Sequence, residues 1–266
     1  MHSVAPTIMF WLPPMLKLIL TAFTVVAASV VVERAGPLIG ALVASLPVTM
    51  WPAYLFLFHD HDTDYLAASG QVGLAVNAAT APFMLIYLVL AQRRGLIRSL
   101  LPAIACWIVL ALLVRSFDWT AIGAGLLNLA VYPLSIQLSM RFSDVKLQPV
   151  VRQWYELPLR TALVCALMGA VLALSHFGGP GAAGMVAVYP ISTTSTMLLL
   201  HTRIGGRASA AVIANSLWGL FGIGIGLFMM TLTAPRWGGA AGLAILLAVP
   251  VTWNWSVWFV RRRQLI

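Results

Sequence analysis

The chain has 266 residues, of which 61% are hydrophobic and 9% are charged, and it carries a formal net charge of +9. Soluble domains carry about 25% charged residues, so the charged side chains here are too few to cover a water-exposed surface of this size. The composition therefore excludes a soluble enzyme, a nucleic-acid-binding domain, a disordered chain and a disulfide scaffold, and it indicates a polytopic membrane protein.

Breaks in the hydrophobicity divide the chain into apolar runs that approach or exceed the ~20 residues needed to span a bilayer. We predict an all-α membrane fold with nine transmembrane helices, whose approximate bounds are 15–32, 37–58, 66–91, 99–114, 119–140, 157–174, 181–200, 208–232 and 238–260. The first run is interpreted as a spanning helix rather than a signal peptide, because no Lys or Arg precedes Lys17 and apolar runs follow throughout the chain.

The basic residues of the loops provide a test of this number of helices. When the loops are assigned alternately to the two sides, 13 Lys and Arg residues fall on one side and 3 on the other. Lys and Arg are enriched in cytoplasmic loops, so we predict an N-terminus outside and a C-terminus in the cytoplasm. The chain is then a multi-pass protein of an inner membrane, surrounded by the lipid bilayer, and its acidic loop 59–64 faces outward.

An internal repeat relates two segments of the chain at one constant spacing, the repeat offset, which matches Gly36 with Gly179. Segments 36–49 and 179–192 each contain two prolines ten residues apart, and a hydroxyl residue stands two positions after the second proline. Lys17 and Arg160 also coincide at this offset. The alternative interpretation is a chance likeness between two Gly- and Pro-rich helices.

The repeat predicts two four-helix units, 15–116 and 157–262, joined by a linker transmembrane helix at 117–141 and a cytoplasmic loop at 142–156. A single helix between two even-numbered units turns the second unit upside down relative to the first. Many secondary transporters are built from such inverted repeats, and they bind substrate between the two copies near the middle of the membrane.

Part of the second predicted helix resembles the GlpM-type family of small bacterial membrane proteins. The residues that carry the resemblance are Gly40, Ala41, Leu42, Val43, Pro47, Thr49 and the run 52–55, and the run 101–107 is similar to the last helix of that family. The resemblance implies a bacterial inner-membrane protein in which two such units are joined by a helix. It implies no substrate, although the family's name connects it with glycerol-phosphate metabolism and polysaccharide production.

The central prolines of the repeat predict where a substrate binds. Pro47 and Pro190 lie ten residues into their predicted helices, which is ~15 Å or about half of the hydrocarbon core. Proline removes an amide donor, so each helix is expected to break at mid-depth, where protein or water satisfies the exposed backbone. In an inverted repeat the two breaks meet.

Polar residues cluster near the two expected breaks. If the second copy has a shorter loop, the repeat matches Asn77 with Asn215. The residues predicted to bind a substrate are Thr49, Asn77, Ser192, Thr193 and Asn215. The alternative is that the hydroxyls bond back to helix carbonyls and that the asparagines hold helices together.

These features predict a small secondary transporter or permease. No carboxylate lies in the middle of a predicted span, which favours a neutral or anionic small-molecule substrate. The alternative is a non-transporting scaffold or regulatory subunit linked to envelope polysaccharide or glycerol-phosphate metabolism. The sequence leaves open whether the protein forms a homo-oligomer.

An enzyme is not expected, because no predicted span carries a nucleophile beside a base or a set of metal ligands. Loop 59–64 is interpreted as a solvated acidic loop, since it lacks the glycine and the glutamate that a calcium loop requires. We therefore predict no catalytic residue, no metal, no cofactor and no nucleic-acid partner.

Overall fold

A computed structural model describes residues 15–17, 19–23, 26–27, 50–142 and 153–264, with side chains through residue 260. This described part of the chain is helical and contains no strand. The helices are, in chain order, α1 (Met50–Asp60), α2 (Thr63–Asn77), α3 (Thr80–Leu90), α4 (Leu96–Arg115), α5 (Ala121–Ser139), α6 (Glu156–Phe177), α7 (Gly179–Ala187), α8 (Ile191–Trp237) and α9 (Gly239–Gln264). The three short N-terminal pieces are helical as well.

Six stretches within the described residues are long and apolar enough to cross a membrane. They are Thr63–Leu90, Leu96–Arg115, Ala121–Phe142, Glu156–Phe177, Gly179–Trp237 and Gly239–Val260. The protein is therefore an all-helical, membrane-embedded protein. The stretch Gly179–Trp237 has 59 residues and is interrupted both between α7 and α8 and at Gly205. As one straight helix it would be about three times as long as the hydrocarbon core is thick.

The residues at the helix ends explain why several helices begin where they do. Asp62 is extended, and its carboxylate accepts a hydrogen bond of 2.8 Å from the amide of Tyr65, which caps α2. Thr120 caps α5 in the same way through a 3.0 Å bond from the amide of Gly123. Gly205 has a φ of 82°, which favours glycine, and it divides α8 into two helical parts.

The helix starts keep the spacing of the sequence repeat. Helix α2 begins at Thr63, and the second part of α8 begins one repeat offset later, at Gly206. Helix α4 begins at Leu96, and α9 begins one repeat offset later, at Gly239. The same spacing therefore holds across two successive turns of the chain, well beyond the proline-containing segments in which the sequence revealed it.

The spacing of the helix starts changes which residue of the second repeat corresponds to Asn77. Matching Asn77 with Asn215 required a shorter loop in the second copy, but the helix starts retain the whole loop. At the constant repeat offset Asn77 corresponds to Leu220, and the side-chain nitrogen of Asn77 lies 3.5 Å from the carbonyl oxygen of Leu220. Asn215 lies about one and a half turns earlier on α8 and is exposed.

Helices α2 and α3 form the centre of the molecule, and most of their side chains are buried. The largest fully buried side chains include Phe83 and Tyr87 of α3, Tyr54 of α1 and Tyr132 of α5. The surrounding helices instead expose large apolar side chains, such as Leu112 of α4 and Leu126 of α5. These faces are compatible with a surrounding lipid bilayer.

Part of the predicted site lies outside the described residues. The predicted helix 37–58 is described only from Met50 onward. Pro47, Thr49 and the first copy of the repeat at 36–49 precede that residue, and the loop segment 143–152 is likewise outside the described ranges.

Candidate functional site

The helical stretch α2–α3 is tightened near its middle. The amides of Ala78, Ala79 and Ala81 bond to carbonyls three residues earlier instead of four, at 2.9–3.4 Å. Pro82 follows directly and has no amide to donate. A short tightened turn inside a helix often marks strain or a hinge. The sequence analysis missed this feature, although Pro82 is a local signal for it.

The second interruption lies between α7 and α8, at residues 188–190. Helix α7 ends at Ala187, and Pro190 has a ψ of 59°, which is outside the helical range. The amide and the hydroxyl of Thr194 both bond to the carbonyl of Pro190, at 2.8 and 2.9 Å. The proline-disrupted backbone is thus satisfied by the first turn of the next helix.

Trp107 of α4 contacts both interruptions. Its indole nitrogen donates to the hydroxyl of Thr80, at the start of α3, over 3.3 Å. Its ring meets the ring of Tyr189 edge-on, with centroids 4.8 Å apart. The hydroxyl of Thr194 lies 3.3 Å from the hydroxyl of Tyr189. The tightened turn between α2 and α3 and the interruption between α7 and α8 therefore meet at one buried indole.

Helices α2 and α7 approach each other closely because glycines line their contact. A Cβ atom on Gly184 would lie 2.1 Å from the backbone oxygen of Ser69. A Cβ atom on Gly73 would lie 3.3 Å from the backbone oxygen of Gly184. Small residues permit this approach between membrane helices, and here they bring the interruption after α7 against α2.

The hydroxyl run at the start of α8 divides into two groups. The hydroxyls of Ser195 and Thr196 both donate to the carbonyl of Ser192 at 2.8 Å, and Arg160 reaches Thr196 at 3.4 Å. The hydroxyls of Ser192 and Thr193 are different, because they form no hydrogen bond with any described residue and the two residues are only half-buried. They are the two predicted site residues that present polar groups at this interruption.

Asn77 takes part in a buried hydrogen-bond network. Its side-chain nitrogen donates to Asn128 of α5 at 2.9 Å. Asn128 in turn donates to the carbonyls of Leu74 and Ala124, at 2.7 and 2.9 Å. The hydroxyl of Tyr132 donates to the carbonyl of Asn77 at 3.1 Å. In this conformation Asn77 therefore joins α2 to the linker helix α5.

The structure does not bring Asn215 into this network. Its side-chain nitrogen donates to the carbonyl of Ala211 at 2.9 Å, within α8. The side chains that bond to Asn77 are instead those of Asn128 and Tyr132. These two residues were missed, although a polar pair spaced one helical turn apart within a predicted span is a recognisable signal.

Two polar clusters lie at opposite ends of the α2–α3 stretch. The first is called the acidic end, after Asp60, Asp62 and Asp64. Here Lys17 forms an ion pair with Asp60. His61 stacks on the ring of Tyr65 at 3.9 Å between centroids, and His176 of α6 lies 6.0 Å from His61. The hydroxyl of Tyr65 donates to the carbonyl of Ser175 at 3.0 Å.

The second cluster is called the basic end, after Arg203 and Arg207. Arg203 forms an ion pair with Glu156 at the start of α6. The hydroxyl of Tyr87 lies 3.0 Å from the ring nitrogen Nδ1 of His201 and 2.7 Å from the hydroxyl of Ser209. Arg207 donates to the carbonyl of Gln92, just after α3, at 3.4 Å.

Within the described ranges, no three His, Cys, Asp or Glu side chains come close enough to hold a metal ion. Comparison of the chain with models of known protein families, with curated proteins and with solved structures finds no significant match. The resemblance to the GlpM-type family therefore stays a prediction from the sequence, and the function is inferred from the geometry of this chain.

Proposed function

We propose that the protein is a small secondary transporter built from two inverted repeats, with nine transmembrane helices. The observation that carries this proposal is the meeting at Trp107 of the interruption between α7 and α8 with the tightened turn between α2 and α3. Interrupted backbone at membrane depth occurs where protein or a water-filled cavity surrounds it. Transporters with inverted repeats place their substrate sites at such interruptions.

The helix register supports the inverted repeat. Two successive helix starts recur at the repeat offset, in addition to the proline-containing segments. Asn77 contacts Leu220, its own counterpart at this offset. A two-fold axis brings a residue next to its counterpart only where the axis passes, so this contact is expected at the centre of an inverted pair.

The contacts between helix ends support the proposed sidedness. Tyr65 and Ser175 were predicted on the outer side, and they contact each other at the acidic end. Gln92 and Arg207 were predicted on the cytoplasmic side, and they contact each other at the basic end. We therefore assign the acidic end to the outside and the basic end, with the C-terminus, to the cytoplasm of a bacterial inner membrane.

The proposed substrate is a neutral or anionic small molecule. Ser192 and Thr193 are the proposed binding residues in the described part of the chain, because their hydroxyls are available to a ligand. Thr49, at the matching position of the first repeat, completes the site in this proposal. Asn77 acts here as a structural residue that joins α2 to α5.

A non-transporting scaffold is the second candidate, and the Asn77–Asn128 network favours it. That network and the glycine contact between α2 and α7 make the centre closely packed. A scaffold needs such a centre but needs no passage to Ser192. The two candidates therefore differ in whether Ser192 is reached by water from either side of the membrane.

Labelling of single cysteines separates the two candidates. Ser192→Cys and Thr49→Cys are placed in a background lacking Cys106 and Cys165, and labelling by a membrane-impermeant maleimide is measured from each side. The transporter predicts labelling from both sides. Leu112→Cys, on the lipid-compatible face of α4, is the control and is expected to stay unlabelled. Protection of Ser192→Cys and Thr49→Cys from both sides would contradict transport and favour the scaffold.

A further inference from the structure

Two ion pairs between described residues, one at the acidic end and one at the basic end, are alike in several respects. The side chains of Lys17 and Asp60 are 15% and 16% exposed, and those of Glu156 and Arg203 have the same two values. Such side chains are largely withdrawn from water, so separating them costs more than separating a surface pair. Lys17 pairs with the end of α1, and Glu156 at the start of α6 pairs with a residue near the end of the first part of α8.

The pairs occupy corresponding places in the two repeats. Arg203 is the counterpart of Asp60 at the repeat offset. Arg160 corresponds to Lys17 in the same way, and Glu156 precedes Arg160 by one helical turn. The charges are exchanged between the copies, because the acid stands on the second helix of the first repeat and on the first helix of the second repeat.

Both pairs lie beside a turn of the chain. Asp60 precedes the extended residue Asp62 by two positions, and Arg203 precedes Gly205 by two positions. At the basic end the backbone of Gly206 packs against the carbonyl oxygen of Ala91, where an added Cβ would come within 2.2 Å. Each ion pair therefore holds a helix end at the point where the chain changes direction.

The pairs also lie at opposite ends of a helical stretch that is long enough to cross a membrane. The stretch Thr63–Leu90 runs between the acidic and basic ends, and its 28 residues correspond to about 42 Å of helix. This is longer than the hydrocarbon core, so the ion pairs lie near opposite surfaces. The meeting point of the interrupted helices at Trp107 lies between them.

Resting on the proposed transport function, we infer that the two ion pairs are alternating gates. Lys17–Asp60 closes the path from the outside, and Glu156–Arg203 closes the path from the cytoplasm. Both pairs are formed in this structure, which is therefore a state closed on both sides. Opening to one side breaks the pair on that side while the other pair remains, so the loss of one pair shifts the population toward one open state.

Two buried serines serve as matched reporters of the two paths. Ser175 lies at the acidic end and Ser209 at the basic end, and both are nearly inaccessible in the closed structure. Each is replaced by cysteine in the background lacking Cys106 and Cys165. The rate of maleimide labelling is then measured from the outside for Ser175→Cys and from the cytoplasm for Ser209→Cys.

Breaking one pair is expected to change the two reporters in opposite directions. Asp60→Asn should raise labelling of Ser175→Cys about tenfold and lower labelling of Ser209→Cys, because the outward-open state gains population. Glu156→Gln should do the reverse. Asp64→Asn is the control, since Asp64 is an exposed acid at the same end and forms no ion pair with a described residue.

The exchanged pair Lys17→Asp with Asp60→Lys restores the attraction and should return both labelling rates to those of the parent. If Asp60→Asn does not reach the membrane, Lys17→Gln serves as the variant with a broken outer pair. Equal increases at both reporters would mean general loosening and would overturn the gates, as would no change at either reporter.

The gates and the transport function are tested by different measurements, so that either can fail alone. If Ser192→Cys is labelled from both sides but the labelling rates of the two reporters do not change when an ion pair is broken, the gates are overturned and transport is retained. Protection of Ser192→Cys from both sides, together with reciprocal reporters, retains the gates as a conformational device and overturns transport.

Discussion

Two helical stretches of the described residues, α2–α3 and α7–α8, depart from regular helix in different ways. The α2–α3 stretch keeps helical dihedral angles at Ala78, and its neighbours from Gly73 to Ala81 are all buried. Between α7 and α8 the chain leaves the helical range at Pro190, and the residues after it are half-buried hydroxyls. One interruption is enclosed by protein, and the other presents polar groups.

This difference suggests a division of labour between the two walls of the proposed site. The α2–α3 wall is held by the hydrogen bonds of Asn77, Asn128 and Tyr132. The α7–α8 wall is joined to it through glycine contacts and through the indole of Trp107. In the proposed transporter, the α2–α3 wall stays fixed and the hydroxyls of the α7–α8 wall bind the ligand. Substitutions in each wall and at their contacts test this contrast.

The glycine contact between the walls gives the largest expected effect. Gly184→Ala places a Cβ atom against the backbone oxygen of Ser69, so α7 must move away from α2. We expect a loss of about 3 kcal/mol in stability, seen as a lower melting temperature of the purified protein in detergent. Gly169→Ala is the matched control on α6, where a Cβ meets nothing within 4 Å. Equal melting temperatures for the two variants would contradict close packing of the walls.

The fixed wall is tested by Asn128→Leu. The substitution removes the acceptor of Asn77 and leaves the carbonyls of Leu74 and Ala124 without that donor. We expect a loss of about 1–2 kcal/mol, again measured by thermal unfolding. Asn215→Leu serves as comparison, since Asn215 is exposed and its amide bonds within its own helix. A larger loss for Asn215→Leu would show that the wrong asparagine has been placed at the centre.

Sequence reasoning located the α7–α8 wall better than the α2–α3 wall. A proline in the middle of an apolar run predicts disrupted backbone by local chemistry alone, and α8 indeed begins directly after Pro190. The α2–α3 wall depends on which helix meets the polar face of α5, and the sequence marks that face with Asn128 and Tyr132 but does not identify the helix that it meets. Asn128 was therefore invisible as a partner of Asn77 until the helices were packed.

The ion pairs were not predicted from the sequence for the same reason, because the sequence does not show which helices pack together. Lys17 and Arg160 were recognised as repeat-related, but Lys17 pairs with Asp60 of α1, and in the second copy it is Glu156 that pairs with Arg203 of α8. Two helix starts keep one constant offset, and at that offset Asp60 matches Arg203. Matching Asn77 with Asn215 required a shorter loop instead. The match between two asparagines was a weaker guide to how the two repeats align than the turn at Gly205. The positive φ of Gly205 fixes where the first part of α8 ends.

The connection between the walls is tested by a double-mutant cycle at Trp107 and Thr80. Trp107→Phe keeps an aromatic ring against Tyr189 but removes the donor to Thr80, and Thr80→Val removes the acceptor. Each single substitution is expected to cost about 1 kcal/mol, and the double substitution should cost less than the sum. Additive losses in melting temperature would mean that the indole does not bond to Thr80 in the membrane.

Substitutions of Ser192 and Thr193 are expected to have the smallest effect on stability and the largest effect on ligand binding. The Ser192 and Thr193 hydroxyls bond to no described residue, so Ser192→Ala and Thr193→Val should each change stability by less than about 0.5 kcal/mol. A ligand that binds only the folded protein raises its melting temperature. Neutral and anionic small molecules are therefore screened for stabilisation of the parent protein, and any such shift should disappear in both variants. Thr252→Val on α9, where the threonine bonds back to its own helix, should keep the shift. A shift that survives both substitutions would move the site away from the α7–α8 wall, because the two hydroxyls are the groups of that wall available to a ligand.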